Sequence, residues 1–146
     1  MSSAEQFIDS EIQEIVKFNI KIVKERNERQ GVNLDRLNEI FSFANSINPD
    51  IEPDRKKRIL KKAARIISGI TWLQPFDNGN KSTALASGKM FLNRNGFDLS
   101  INNKQIYFLL ERISMKFEND SSIYSEREEF LFKKVFDISN GKNLFY

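Results

Sequence analysis

A single turn between two helical segments constrains the fold of this chain more than any other feature of its sequence. The turn is built from Pro75 and from Asp77, Asn78 and Gly79. Asn and Asp side chains hydrogen-bond to their own backbone, and Gly accepts a positive φ without steric cost, so these residues favour a tight turn. The sequence therefore predicts two consecutive helices joined at this point, the second running from Lys81 to Asn95.

The start of that second helix is a candidate phosphate site. The backbone N–H groups of Gly79, Asn80, Lys81 and Ser82 are expected to point out of the first turn, where a helix carries partial positive charge. Lys81 adds a full charge, and such a terminus suits a phosphate group. The alternative is an ordinary capped turn on the surface, and the residues by themselves leave both interpretations open.

The residues of this turn resemble the signature of a known family. The run 74–85, Gln-Pro-Phe-Asp-Asn-Gly-Asn-Lys-Ser-Thr-Ala-Leu, is similar to the Fic/Doc pattern H-P-F-x-[D/E]-G-N-[G/K]-R-x-x-R. With Phe91-Leu92 and Asn95-Gly96 it resembles the Doc branch most. The resemblance implies an all-α fold, a single-domain helical bundle over residues 1–146 with a central helix after the motif loop.

The same resemblance implies a chemistry. Fic members transfer AMP from ATP to protein hydroxyls, Doc phosphorylates elongation factor Tu, and both use a nucleotide with Mg²⁺. In the family the motif His is the general base, the acidic residue holds magnesium, and the first Arg contacts phosphate. A protein target or an antitoxin-like partner is therefore expected, as in toxin–antitoxin systems.

The sequence departs from the family pattern at the positions that carry this chemistry. Gln74 stands at the position of the His, and an amide accepts a hydrogen bond but takes no proton near neutral pH. Asn78 replaces the acidic residue, which should reduce magnesium affinity. Ser82 and Leu85 replace the first and second Arg, so two forks of charged donors are lost.

Other motif residues are retained. Pro75 and Phe76 keep the motif scaffold, and Gly79, Asn80, Lys81 and Ser82 occupy the phosphate-binding positions. Three hypotheses follow: a degenerate member, or pseudoenzyme, with weak or absent transfer; an active variant transferase of toxin type; and a non-catalytic protein-interaction module.

Composition excludes several other classes of site. The chain has 146 residues, of which 40% are hydrophobic, and it contains neither Cys nor His. Disulfides, thiolate or histidine zinc sites and His-dependent triads are therefore impossible. Neither a signal segment nor an apolar run of membrane-spanning length is present in the sequence, so we expect a cytoplasmic protein with no membrane contact.

Apolar spacing predicts further helices along the chain. The first covers residues 8–29, the second follows an N-cap at Asn33, and the third covers 54–73 with a buried stripe of Ile59, Ala63, Ile66, Ile67 and Ile70. A fifth helix is expected around 106–117 and a sixth around 125–138. The segment 45–53 is expected to be irregular, and the resemblance places there the flap that aligns a target.

Two charge patterns have ordinary explanations. Seven basic residues lie between Arg55 and Arg65, and we expect them on the solvated faces of the third helix rather than against RNA or DNA. The net charge of +3 is also too balanced to indicate a nucleic-acid-binding protein. The segment 114–119 matches the short inhibitory pattern of Fic proteins. In those relatives the Glu of the pattern pairs with the second motif Arg. Leu85 occupies that position here, so Glu118 cannot form this pair.

Overall fold

A computed structural model describes residues 5–97, which form four α-helices: α1 (Asp9–Glu25), α2 (Leu34–Asn45), α3 (Arg55–Leu73) and α4 (Asn80–Arg94). Helix α3 packs on both α2 and α4, and α1 packs on α4. The all-α prediction is confirmed over this range, where the only extended pairing is an isolated bridge between Val32 and Phe76. The helices predicted around 106–117 and 125–138, and the pattern at 114–119, lie outside the described residues.

Helix α3 is the centre of the core. Its predicted stripe of Ile59, Ala63, Ile66, Ile67 and Ile70 is buried throughout, as the spacing of these residues indicates. The aromatic residues of the core lie on the neighbouring elements, with Phe41 on α2 and Phe91 on α4. In the described part of the chain no helix is both long and apolar enough to cross a bilayer.

The small residues of α4 allow it to lie close to α3. A methyl group added at Gly88 would stand 2.4 Å from side-chain carbons of Ile67, which is well inside van der Waals contact. Ala84 is fully buried on the same helix. Small side chains on α4 therefore permit close packing of the neighbouring helix α3.

The boundaries of α3 and α4 agree with the prediction to within one residue, whereas the end of α1 does not. Asn33 caps α2 by accepting a hydrogen bond from the Arg36 amide at 3.0 Å, as predicted. Helix α1, however, ends at Glu25 and does not continue to residue 29. Asn27 adopts a positive φ of 55°, a conformation that terminates a helix. The residues that follow are thereby released to pair with the motif loop.

The prediction that the basic residues of α3 lie on solvated faces is wrong for two of them. Arg58 is 6% exposed and Lys62 is fully buried. Both contact Glu5: the Arg58 guanidinium donates to the carboxylate at 2.6 and 3.3 Å, and the Lys62 ammonium donates to the backbone carbonyl. These two cations attach the N-terminal segment to α3, so they do not form a surface for nucleic acid.

Burial and pairing change the ionisation of this cluster. The hydrogen bond from Arg58 lowers the pKa of the Glu5 carboxyl, although burial alone would raise it. The same bond raises the pKa of Arg58, while burial lowers the pKa of Lys62. Because the Glu5 pKa is lower in the folded state, its contribution to stability is present above pH 4.5 and is lost as pH falls through the folded pKa.

Removing the carboxylate of Glu5 should destabilise the fold. We expect Glu5→Gln to cost about 3 kcal/mol at neutral pH, because it leaves two buried cations without their counter-charge. As the pH falls below 4.5, the free energy of unfolding should also decrease less in the variant than in the wild type. Urea unfolding followed by fluorescence of Trp72, the single tryptophan, measures both effects.

A matched control is available on α1. Glu14 pairs with Lys17 at 3.5 Å, and both side chains are largely exposed. Glu14→Gln should change the free energy of unfolding by less than about 1 kcal/mol. Equal effects of the two substitutions would contradict the role assigned to Glu5.

Candidate functional site

The loop from Gln74 to Gly79 is bounded by two residues in the left-handed region. Gln74 ends α3 with φ 49° and ψ 63°, and Gly79 precedes α4 with φ 76° and ψ 19°. Glycine adopts this region readily, whereas Gln pays a steric cost. The predicted turn is thus present, and it lies between two packed helices.

A short segment before α2 holds this loop in place. The Asn33 amide donates to the Pro75 carbonyl at 2.7 Å, and the Asp77 amide donates to the Gly31 carbonyl at 3.0 Å. These two bonds form the isolated antiparallel bridge between Val32 and Phe76. The loop backbone is therefore fixed by residues that lie more than forty positions earlier in the chain.

The side chain of Asn80 fixes the loop from the other side. Its oxygen accepts from the Phe76 amide at 3.0 Å and its nitrogen donates to the Phe76 carbonyl at 2.8 Å. Phe76 itself is buried in the core, and Pro75 is buried beside it. The Asn80 side chain thus sets the shape of the loop, so any contact of this residue with a phosphate has to come from its backbone N–H.

Asn19 is a structural residue of the site that the sequence analysis missed. It is 2% exposed, and its side-chain nitrogen donates to the Asn78 carbonyl at 2.8 Å and to the Thr83 hydroxyl at 3.1 Å. Asn19 thereby ties α1 to both the loop and the first turn of α4. The available signal was its position on the buried stripe of α1, between Ile15 and Val23.

The side chains of Asp77 and Asn78 in the loop are engaged by Arg29. The Asn78 side-chain nitrogen donates to the Arg29 carbonyl at 3.0 Å, and the Asp77 carboxylate pairs with Arg29 at 3.1 Å. Asp77 also packs over Gly31, where an added methyl group would lie 2.2 Å from a carboxylate oxygen. Within residues 5–97 no group of three or more acidic or other metal-binding side chains occurs.

The start of α4 gathers the predicted phosphate-binding residues. Gly79, Asn80, Lys81 and Ser82 follow one another there and are half-buried, while Gln74 is exposed on the loop before them. The helix start predicted from the sequence is therefore present, and it directly follows the loop that contains Gln74.

A cavity opens beside this helix start, between α1 and α4. Its volume is about 370 Å³, and Phe18, Ile22, Arg26, Ser82 and Lys89 are among its lining residues. The Arg26 guanidinium donates to the Ser82 hydroxyl at 2.8 Å across one end of the cavity. The sequence analysis did not single out Arg26, because it lies in the turn after α1, far from the motif in sequence.

Gly79 should be harder to replace than Gly96, the other described glycine with a positive φ. A methyl group at Gly79 would meet side-chain atoms of Val23, Asn19 and Ile22 at 3.0 to 3.1 Å, whereas one at Gly96 would meet nothing within 4 Å. Both glycines have positive φ, so Gly79→Ala and Gly96→Ala pay a similar backbone cost of about 1 kcal/mol.

The difference between the two substitutions therefore isolates the packing of Gly79 against α1. We expect Gly79→Ala to lower the urea midpoint clearly more than Gly96→Ala, because overpacking adds about 1–3 kcal/mol. Equal shifts would mean that α1 yields without cost and does not fix the loop.

The motif lies within a range of the chain that matches a protein-family model. A family model described as Fic/DOC family matches residues 9–92, a range that covers α1, α2, α3, the motif loop and most of α4. No curated protein and no solved structure matches the chain.

Proposed function

The chain belongs to the Fic/DOC family, a fold of nucleotidyl and phosphoryl transfer, and from this premise we propose that it binds a nucleotide but transfers its groups weakly or not at all. The nucleotide, ATP or a related molecule, places its phosphates at the start of α4. Gly79, Asn80, Lys81 and Ser82 surround that position. In this proposal the protein is a degenerate member, most similar to the Doc branch.

The proposed loss of transfer activity depends mainly on the identity of residue 74. A general base must accept a proton from the attacking hydroxyl, and the amide of Gln74 has no basic lone pair near neutral pH. The chain contains no histidine that could take its place. Gln74 can still orient a hydroxyl by accepting its hydrogen bond, so binding and transfer are separable at this position.

The anchored loop supports retained binding. Asn80, Asn19 and the bridge between Val32 and Phe76 hold the turn by hydrogen bonds of 2.7 to 3.1 Å. None of these contacts uses the residues that depart from the family pattern, apart from the backbone carbonyl of Asn78. The shape of the phosphate site therefore does not depend on the catalytic side chains of the family.

The loss of the acidic position reduces the contribution of magnesium. Asn78 offers at most a neutral oxygen, and Asp77 is engaged by Arg29. Hard cations prefer carboxylate and phosphate oxygens. A nucleotide would therefore bring its own cation or bind without one, and its affinity should depend little on magnesium.

Residual transfer has a physical basis as well. Phosphoryl transfer relies mainly on positioning and on stabilisation of charge, and loss of a general base costs about 10²–10⁴-fold in rate. An active variant enzyme of toxin type is accordingly the alternative to a degenerate one. The two differ in the rate of label transfer and share the same binding site.

A third hypothesis concerns the segment between α2 and α3. This segment is irregular, and Ile51 within it is 64% exposed although it is a large aliphatic residue. An exposed apolar side chain on a loop suits contact with a protein. The segment would then hold a protein target or antitoxin-like partner in the cytoplasm, with or without transfer chemistry.

Restoring the motif tests the proposal. Wild-type protein incubated with labelled ATP, magnesium and cell lysate should transfer little or no label to protein. The variant Gln74→His, Asn78→Asp, Ser82→Arg should transfer label at least about 10²-fold faster, since it regains the general base. Gel autoradiography measures the transfer, and calorimetry measures ATP binding in both proteins.

The matched control keeps the base absent. The variant Asn78→Asp, Ser82→Arg retains Gln74, so it should bind ATP at least as tightly as the wild type and still transfer little label. Rapid labelling by the wild type itself would favour the active enzyme. A silent restored variant together with a wild type that binds no ATP would favour the interaction module.

A further inference from the structure

The cavity between α1 and α4 is lined by two cations and by apolar side chains. Arg26 and Lys89 line it, and none of its described lining residues is acidic. Phe18, Ile22 and Leu85 supply its apolar wall. Phe18 is 37% exposed despite its size, because it faces this open space. A volume of about 370 Å³ lies in the range of small-molecule sites.

The two cations stand next to positions where the motif has lost its arginines. Ser82 and Leu85 both line the cavity, and neither carries a charge. Arg26 reaches Ser82 from the turn after α1, with 2.8 Å between its guanidinium nitrogen and the hydroxyl. Lys89 lies four residues after Leu85, so the two side chains project from the same face of α4.

We infer that Arg26 and Lys89 act beside Lys81 as phosphate-binding cations of this protein, and that the ligand of the cavity is a nucleotide whose phosphates extend from the start of α4 between these two side chains. This inference rests on the proposed function and adds the side chains that recognise the ligand. Residues 82 and 85 carry no charge. Arg26, in the turn after α1, and Lys89, one turn beyond Leu85 on α4, supply positive charge instead.

Electrostatics favours an anion at this place. The N-terminal end of α4 carries partial positive charge, and Arg26 brings a full charge to its first turn, where the hydrogen-bond acceptor is a neutral hydroxyl. Apolar walls lower the local dielectric and strengthen the attraction of an anion. The guanidinium fork matches phosphate oxygens, as it does in other phosphate sites.

The apolar wall suits the rest of a nucleotide. A base has a flat π-face that stacks on aromatic side chains, and Phe18 presents a ring to the cavity. An inorganic phosphate chain would use the cations alone, and a nucleoside would use the wall alone. The ligand that satisfies both parts is a nucleoside with a charged phosphate chain.

Calorimetry with three probes tests the inference: ATP, inorganic tripolyphosphate and adenosine, all without magnesium. Wild-type protein should bind ATP most tightly and adenosine least. Arg26→Ala should weaken ATP binding about tenfold and Lys89→Ala a few-fold, as expected for loss of charge-assisted contacts. Arg26→Ala combined with Ser82→Arg should recover most of the loss, because the guanidinium returns from the other side.

Lys24→Ala is the matched control. Lys24 lies in the last turn of α1, two residues before Arg26 and about 200° around the helix from Ile22, which lines the cavity. It removes the same charge without touching the cavity and should leave ATP binding unchanged.

The outcomes separate this inference from the proposed function. If the wild type binds ATP but Arg26→Ala and Lys24→Ala behave alike, the inference is overturned and the proposed function stands. Adenosine binding as tight as that of ATP would also overturn it, since the phosphates would then contribute nothing. If the wild type binds neither ATP nor tripolyphosphate, the inference and the proposed nucleotide site both fall.

Discussion

The geometry of the site depends on the hydrogen bonds that hold the loop between α3 and α4. The segment before α2 pairs with the loop at Pro75 and Asp77, and Asn80 closes it through both backbone groups of Phe76. Buried backbone groups need partners, and here these are backbone groups of Gly31 and Asn33 and the side chains of Asn19 and Asn80. These bonds act together with the packing of α4 on α3 to fix the direction of α4.

Two further contacts connect the loop and α4 to the neighbouring helices. Asn19 connects α1 to the loop and to Thr83, and the absence of a side chain at Gly88 lets α4 lie against Ile67. At the opposite end of α3, Arg58 and Lys62 attach the N-terminal segment through Glu5. The helix start at Gly79 is therefore held by contacts to α1, α3 and the segment before α2.

In the proposed function, the side chains that would shape the binding site differ from those that carry the family's chemistry. The contacts that shape the loop use backbone groups and neutral amides, whereas the family chemistry uses an imidazole, a carboxylate and guanidinium groups. Substitution of the second set, at Gln74, Asn78 and Ser82, leaves the first set intact. Arg26, in the turn after α1, brings a positive charge to Ser82, because its guanidinium donates to the Ser82 hydroxyl.

The sequence by itself determined the helical class, the turn and much of the core. Turn residues and apolar spacing are local properties, so the N-cap at Asn33, the buried stripe of α3 and the start of α4 could be predicted from them. The motif pattern also indicated the family. Only the tertiary structure decided that Arg58 and Lys62 are buried, that Asn19 holds the loop and that Arg26 reaches Ser82. Each of these joins residues more than fifty positions apart, and local sequence patterns carry no information about such contacts.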